Sequence, residues 1–160
     1  MSSALTEQEL WSQLEEQRLR ARRIEELITE AKRKRLRDSG RPTLAEAVQR
    51  VSQNDSGAGY DVASFELSGE PRLIEVESST GVATKFFWSA NERFCATASS
   101  NYRIYFVPLA QRATKAPFTV VKFYNPVSLI ASGALLDQAA TWLVSEAENC
   151  DKCDIEHVKL

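Results

Sequence analysis

From Thr6 to Asp38 the chain contains neither glycine nor proline. A run of that length has one economical conformation, a single long helix. Thr6 and Glu9 stand at capping-box spacing, so the helix has a defined start. Apolar residues recur at Leu10, Leu14, Ala21, Ile24, Ile28 and Ala31, a 4-3 spacing broken only at Gln17. Such spacing predicts a coiled-coil seam or a helix laid on a partner. The last turns carry Lys32, Arg33, Lys34, Arg35 and Arg37. Basic side chains there complement the helix dipole, and the same cluster is a weak candidate for contact with nucleic-acid phosphates. Asp38-Ser39-Gly40-Arg41-Pro42 ends the helix and reads as a hinge. Three regions follow: a charged arm over 1–41, a domain over 42–148 and a polar tail over 149–160.

At 160 residues the chain has room for one core plus an appendage. No apolar run nears the roughly 20 residues that span a bilayer, so no membrane partner is expected. Met1-Ser2-Ser3-Ala4-Leu5 has no basic stretch before an apolar one, so no secretory signal is expected. Three cysteines are too few and too sparse for a disulfide framework. An intracellular setting follows, cytoplasmic or, in a eukaryote, nuclear. Up to Arg41, ten basic residues face eight acidic ones (+2), and beyond it ten face fourteen (-4). The domain is therefore not a basic nucleic-acid module by bulk charge.

Beyond the hinge, Thr43 and Glu46 predict a second capping box opening a short helix with Leu44, Ala47, Val48 and Val51 as its apolar positions. Residues 53–59 read as loop. Tyr60 to Leu67 and Arg72 to Ser78 read as a hairpin turned by Ser68-Gly69-Glu70-Pro71. Lys85 to Trp88 is a third strand, and Ser89 with Glu92 caps a helix carrying Phe94, Cys95 and Ala98. Tyr102 to Val107 and Phe118 to Tyr124 are two more strands joined by an exposed link over 110–117. Leu135 to Ala147 reads as a closing helix. The layout predicts an α+β (α/β-like) fold with a central mixed sheet flanked by helices.

Chemistry concentrates in the hairpin. In Leu73-Ile74-Glu75-Val76-Glu77 the strand period sends Ile74 and Val76 to one face and Glu75 and Glu77 to the other. If Gly59-Tyr60-Asp61-Val62 is its neighbour, Asp61 joins them. Three hard oxygen ligands of this kind suit Mg2+ or Mn2+, the ions that assist phosphodiester hydrolysis. The plain alternative is the solvated side of an antiparallel sheet, where alternating carboxylates are ordinary.

These segments, followed by Ser89-Ala90-Asn91-Glu92, Tyr102-Arg103-Ile104-Tyr105-Phe106-Val107 and Asn125-Pro126-Val127, occur in an order that resembles the No-Vein C-terminal domain family over roughly residues 44–130. The resemblance implies a domain found beside helicases and restriction-type ATPases. That family is similar to the PD-(D/E)xK nuclease superfamily, which implies a sheet carrying the catalytic acids, Asp61 and Glu75 as metal ligands, and Glu46 as an auxiliary acid. Glu77 falls where the superfamily has its lysine. A glutamate cannot supply that positive charge, but it can serve as a base or hold a second metal.

Two functions from different classes follow. One is a metal-dependent nuclease-like domain, in a defence or restriction-type setting, with Asp61, Glu75 and Glu77 as catalytic and metal-binding residues. The other is a non-catalytic module that pairs with a copy of itself, or with a larger ATPase or helicase, through residues 6–37. A third, purely structural reading treats the acidic strand face as mere surface. Cys150, Cys153 and His157 have the spacing of half a zinc site, but only Cys95 could complete the four ligands, so the spacing is read as chance and zinc is not expected. Phe86, Phe87, Trp88 and Phe94 are read as core rather than as base-stacking groups. Ser56-Gly57-Ala58-Gly59 lacks the lysine and helix of a phosphate loop, so no nucleotide cofactor is expected.

Overall fold

The computed structural model describes residues 6–81, 83–109, 118–138, 143–146 and 153–158. Helix α1 (Glu7–Asp38) begins at the Thr6–Glu9 capping box, with both reciprocal hydrogen bonds present. It ends in a Schellman turn. Gly40 N–H donates to Arg37 O (3.0 Å) and Arg41 N–H to Leu36 O (2.8 Å), with Gly40 at φ 71°. The segment read as a hinge is therefore a closed turn, and it folds α2 (Pro42–Ala47) back onto α1. The second capping box does not form. Arg41 is the N-cap, Pro42 takes the first helical position and no side chain caps the turn, because Pro42 starts the helix ahead of Thr43.

A mixed sheet of six strands runs in the order β1 (Gln49–Arg50), β2 (Val62–Phe65), β3 (Pro71–Ser79), β5 (Tyr102–Pro108), β6 (Phe118–Tyr124), β9 (Cys153–Val158). All pairs are antiparallel except β3 with β5, which places Glu75 beside Ile104 and Glu77 beside Phe106. The β3–β5 crossover holds β4 (Lys85–Phe87) and α3 (Ala90–Ala98). A turn of helix α4 (Pro126–Ala131) follows β6, entered through Asn125 at φ 46°. A second sheet orders β4, β8 (Leu143–Glu146) and β7 (Leu135–Gln138).

Two expectations at the C-terminus change. The segment read as a helix from Leu135 forms strands β7 and β8, which pair with each other and with β4. Its apolar residues suit either period, and an available sheet edge decided between them. Part of the tail read as polar is β9, paired along β6 from Phe118↔Val158 to Phe123↔Cys153. The link over 110–117 lies outside the described residues. No described helix is long and apolar enough to cross a membrane.

The large sheet separates two cores. On one face Ile24, Ile28 and Leu36 of α1 pack with Val48, Val62, Ile74, Tyr105 and Val120. On the other, Phe86, Trp88, Tyr102, Ile104, Phe106 and Phe123 pack with α3 and α4. Of the four aromatics read as core, Phe86 and Trp88 are buried, but Phe87 and Phe94 are 68% and 75% exposed. Phe87 follows from strand alternation, which turns it away from the side that Phe86 and Trp88 share.

Helix α1 is likewise divided. Residues 6–19 are exposed throughout, whereas burial begins at Ile24. The apolar seam runs the length of the helix with one break at Gln17, and its C-terminal half is covered by the protein's own sheet. Only its N-terminal half is left as an arm.

Candidate metal centre

The acidic site is assembled from three elements. Hairpin pairing sets Val62 opposite Ile74, which brings Asp61 to the edge of Glu75. Asp61 is fixed by its backbone: its N–H donates to Ile74 O (2.9 Å), and its carbonyl accepts from Val51 N–H (2.6 Å). One of its carboxylate oxygens accepts from Val76 N–H (2.8 Å). Strand alternation puts Glu75 and Glu77 on the face opposite Ile74 and α1.

The third element is α3. Its N-cap Ser89 accepts from Glu92 N–H (3.3 Å), and Glu92 Oε2 accepts from Ser89 N–H (2.9 Å). The box occupies one oxygen of Glu92 and aims the carboxylate at the sheet. Asn91 Nδ2 donates to Gly57 O (2.6 Å), and Tyr102 Oη donates to Gly59 O (2.9 Å). The first bond ties the loop before Asp61 to the start of α3, and the second ties it to β5.

As a result, carboxylate oxygens of Glu75, Glu77 and Glu92 lie within 4.8 Å of one another. Among the described residues no salt bridge reaches any of the three. Asp61 stands next to this set, hydrogen-bonded to Glu75, rather than within it. Crowding buried carboxylates raises their pKa values. Burial first, opposed by the Val76 N–H bond, and then the charges of Glu25 and Glu92 hold Asp61 at about 7. Burial, then Glu92 and Asp61, push Glu77 to about 8. Glu75, 8% exposed, is raised well above the ordinary range by burial and then by Asp61, Glu92 and Glu77.

Sequence reasoning placed Glu75 and Glu77 here and missed Glu92, because the capping box already accounted for it. The available signal was that a cap uses one carboxylate oxygen and leaves the other free. Glu46, the auxiliary acid of the resemblance, is not in the cluster. Cys150 lies outside the described residues, and Cys153 and His157 fall on β9.

The basic stretch at the end of α1 is mostly engaged within the molecule. Lys32 is buried, with Nζ 4.7 Å from the Tyr105 ring centre. Arg33 bonds Glu30 (2.5 Å) and Val48 O (2.9 Å), Lys34 bonds Asp38 (2.6 Å), and Arg35 donates to Phe65 O. Of the five, Lys34 and Arg37 are exposed. An open phosphate-binding strip is not what the helix presents.

Fold and site together define an α+β domain with a long N-terminal helix and a carboxylate cluster on the face of a mixed sheet. The family model described as Protein NO VEIN, C-terminal, matches residues 24–121, more than half of the chain, and the chain belongs to that family. The match begins at Ile24, the residue at which α1 becomes buried. No curated protein and no solved structure gives a significant match.

Proposed function

We propose that this is a nuclease-like domain in which Glu75, Glu77 and Glu92, with Asp61 beside them, hold Mg2+ or Mn2+ for phosphodiester hydrolysis in nucleic acid. The observation that carries the reading is three carboxylates within 4.8 Å with no salt-bridging cation among the described residues. All donors are hard oxygens, the set that Mg2+ and Mn2+ prefer. On an octahedral ion of this kind adjacent ligands stand about 2.9 Å apart and opposite ones about 4.2 Å, so the three carboxylates, now within 4.8 Å of one another, have to draw in to share one ion. A divalent ion polarises a phosphoryl oxygen and neutralises its developing charge. Asp61 orients the set through Val76 and Glu75. Glu77 supplies an acceptor where the PD-(D/E)xK superfamily, which this domain resembles, has a lysine. It can take a proton from an attacking water but adds no positive charge. A defence or restriction-type setting is part of the same proposal, by resemblance.

Titrating Mn2+ by calorimetry tests the site. Wild type is expected to bind saturably, near one ion per chain. Glu92→Gln, which keeps an acceptor for Ser89 N–H, should lower affinity at least about tenfold, the loss of one charged ligand. Cleavage of labelled nucleic acid should disappear in Glu75→Ala. Wild type that binds no metal, with or without nucleic acid, would remove the proposal.

A second reading is favoured by one observation. Leu10, Trp11 and Leu14 are 47%, 64% and 41% exposed on the free half of α1, where Trp11 and Leu14 line a groove of about 360 Å³. In that reading the domain is a non-catalytic module whose α1 pairs with a second copy or with a larger ATPase or helicase. Light scattering of the intact chain is expected to give a mass above one chain, and Leu10→Glu with Leu14→Glu should return it to one. A monomeric wild type that recruits no such partner through α1 would count against this role.

A further inference from the structure

The face of the large sheet that meets α1 carries a second polar cluster of opposite sign. Lys32 and Arg35 descend from α1 onto Arg72 of β3 and Arg103 of β5. One carboxylate serves them: Glu66 pairs with Arg72 and with Arg103 (2.7 Å). Among the described residues, four basic side chains stand here against one carboxylate, an excess of three (4 - 1). Lys122 also borders the cavity beside the cluster.

Beside these groups is a cavity of about 40 Å³, lined by Lys32, Arg35, Tyr105, Lys122 and apolar residues of α1 and β6. Lys32 is 5% exposed and forms no salt bridge among the described residues. Its contact with the Tyr105 ring returns less than burying an ammonium group takes. Among the described residues, Tyr105 Oη, Arg35 Nε, Arg103 Nε and Ser64 Oγ are buried and meet no hydrogen-bond partner. All four can donate a proton, and the one anionic acceptor among the described groups, Glu66, is already shared between Arg72 and Arg103.

We infer that this cavity binds a tetrahedral oxyanion of the phosphate class, held by Lys32, Arg35 and the Tyr105 hydroxyl. A volume of about 40 Å³ exceeds the roughly 10–15 Å³ needed for one water and has room for a small polyatomic anion. An oxyanion offers several acceptor oxygens and cancels the surplus charge. Without one, burial and then the charges of Arg72, Arg35 and Arg103 hold Lys32 down at about 7. The site is on the other side of the sheet from Glu75, so it stands or falls separately from the metal centre.

Calorimetry with inorganic phosphate, at an ionic strength held constant with chloride, tests this. Wild type is expected to bind phosphate saturably. Lys32→Met, which keeps the length of the side chain and removes a buried charge, should weaken binding about tenfold or more, as loss of a charged hydrogen bond does. Tyr105→Phe retains the packing and should weaken it by a smaller factor. A 5′-phosphorylated oligonucleotide that binds more tightly than both its 5′-hydroxyl counterpart and free phosphate would assign the pocket to nucleic-acid ends. Preference for inorganic phosphate would assign it to the free anion, and either result upholds the site. Heat no greater than that of chloride, or binding equal in wild type and both variants, would overturn it.

Discussion

Glu75→Gln is expected to make the metal-free protein more stable. The substitution keeps the shape of a buried side chain, removes one of several crowded carboxylates, and offers an amide that can donate to Asp61. Relief of burial and like-charge repulsion should contribute about 1–3 kcal/mol near pH 8. At about 3 °C per kcal/mol for a chain of this size, that is a rise in Tm of roughly 3–9 °C. The sign of the pH dependence follows from the direction of the shifts. Asp61 at about 7 and Glu77 at about 8 are raised above their ordinary 3.8 and 4.5, so the folded state keeps protons that the unfolded chain has lost. The contribution of these two carboxylates to the stability of the metal-free wild type therefore falls as pH rises from about 4 to about 8. Glu75→Gln should flatten that slope. Mn2+ acts in the opposite direction, since it binds the deprotonated carboxylates and stabilises the fold that holds them. Thermal melts in chelator and in Mn2+ at both ends of this range should show the variant more stable without metal and unresponsive to it. Equal stability of the two proteins in chelator at pH 8 would mean the carboxylates do not repel, and the acidic face would be ordinary surface.

Gly59→Ala is expected to destabilise by about 2–4 kcal/mol and to disable the metal centre with it. Gly59 has φ 79°, a region that costs an L-residue strain. An added Cβ would also meet Cys95 Cβ at 3.0 Å and Asn91 O at 3.1 Å. Neither neighbour is the free end of a flexible chain, so α3 itself must move away from the loop. That shift carries Glu92 off Glu75 and Glu77 and strains the Tyr102 Oη bond to Gly59 O. Denaturant unfolding gives the stability loss. Mn2+ calorimetry below the transition should show weakened binding in a variant that is still folded. Gly69→Ala is the control, because it shares a positive φ (97°) but has open space around its Cβ. It should lose stability without changing metal affinity. Unaltered Mn2+ affinity in folded Gly59→Ala would show that α3 does not position the site.

Much of the architecture was legible because it is written in local chemistry. Capping boxes at Thr6 and Ser89 formed as spaced, and strands β3, β5 and β6 follow their apolar runs. The failures share a cause. Pro42 pre-empted Thr43 as a helix start, and the segment from Leu135 took the strand form that an unpaired sheet edge offered. Phe94 kept a helical apolar position but turned to solvent, since a short helix covers its sheet with only one side. The basic run of α1 reads in sequence as one cluster at the helix end, yet Lys32 and Leu36 turn inward while Lys34 and Arg37 turn out.

Local sequence determined that there is a long capped helix, a hairpin with glutamates on one face, and a sheet to receive them, because periodicity and capping act over a few residues. Tertiary packing decided which half of α1 is core and which is arm. It chose Glu92 over Asp61 as the third close carboxylate and gathered Lys32, Arg35, Arg72 and Arg103 around one Glu66. Those groups are far apart in the chain, and only the β3–β5 crossover and the docking of α1 bring them together. Charges that meet in this way are desolvated by neighbours that no local pattern names, so their chemistry is a property of the packed molecule.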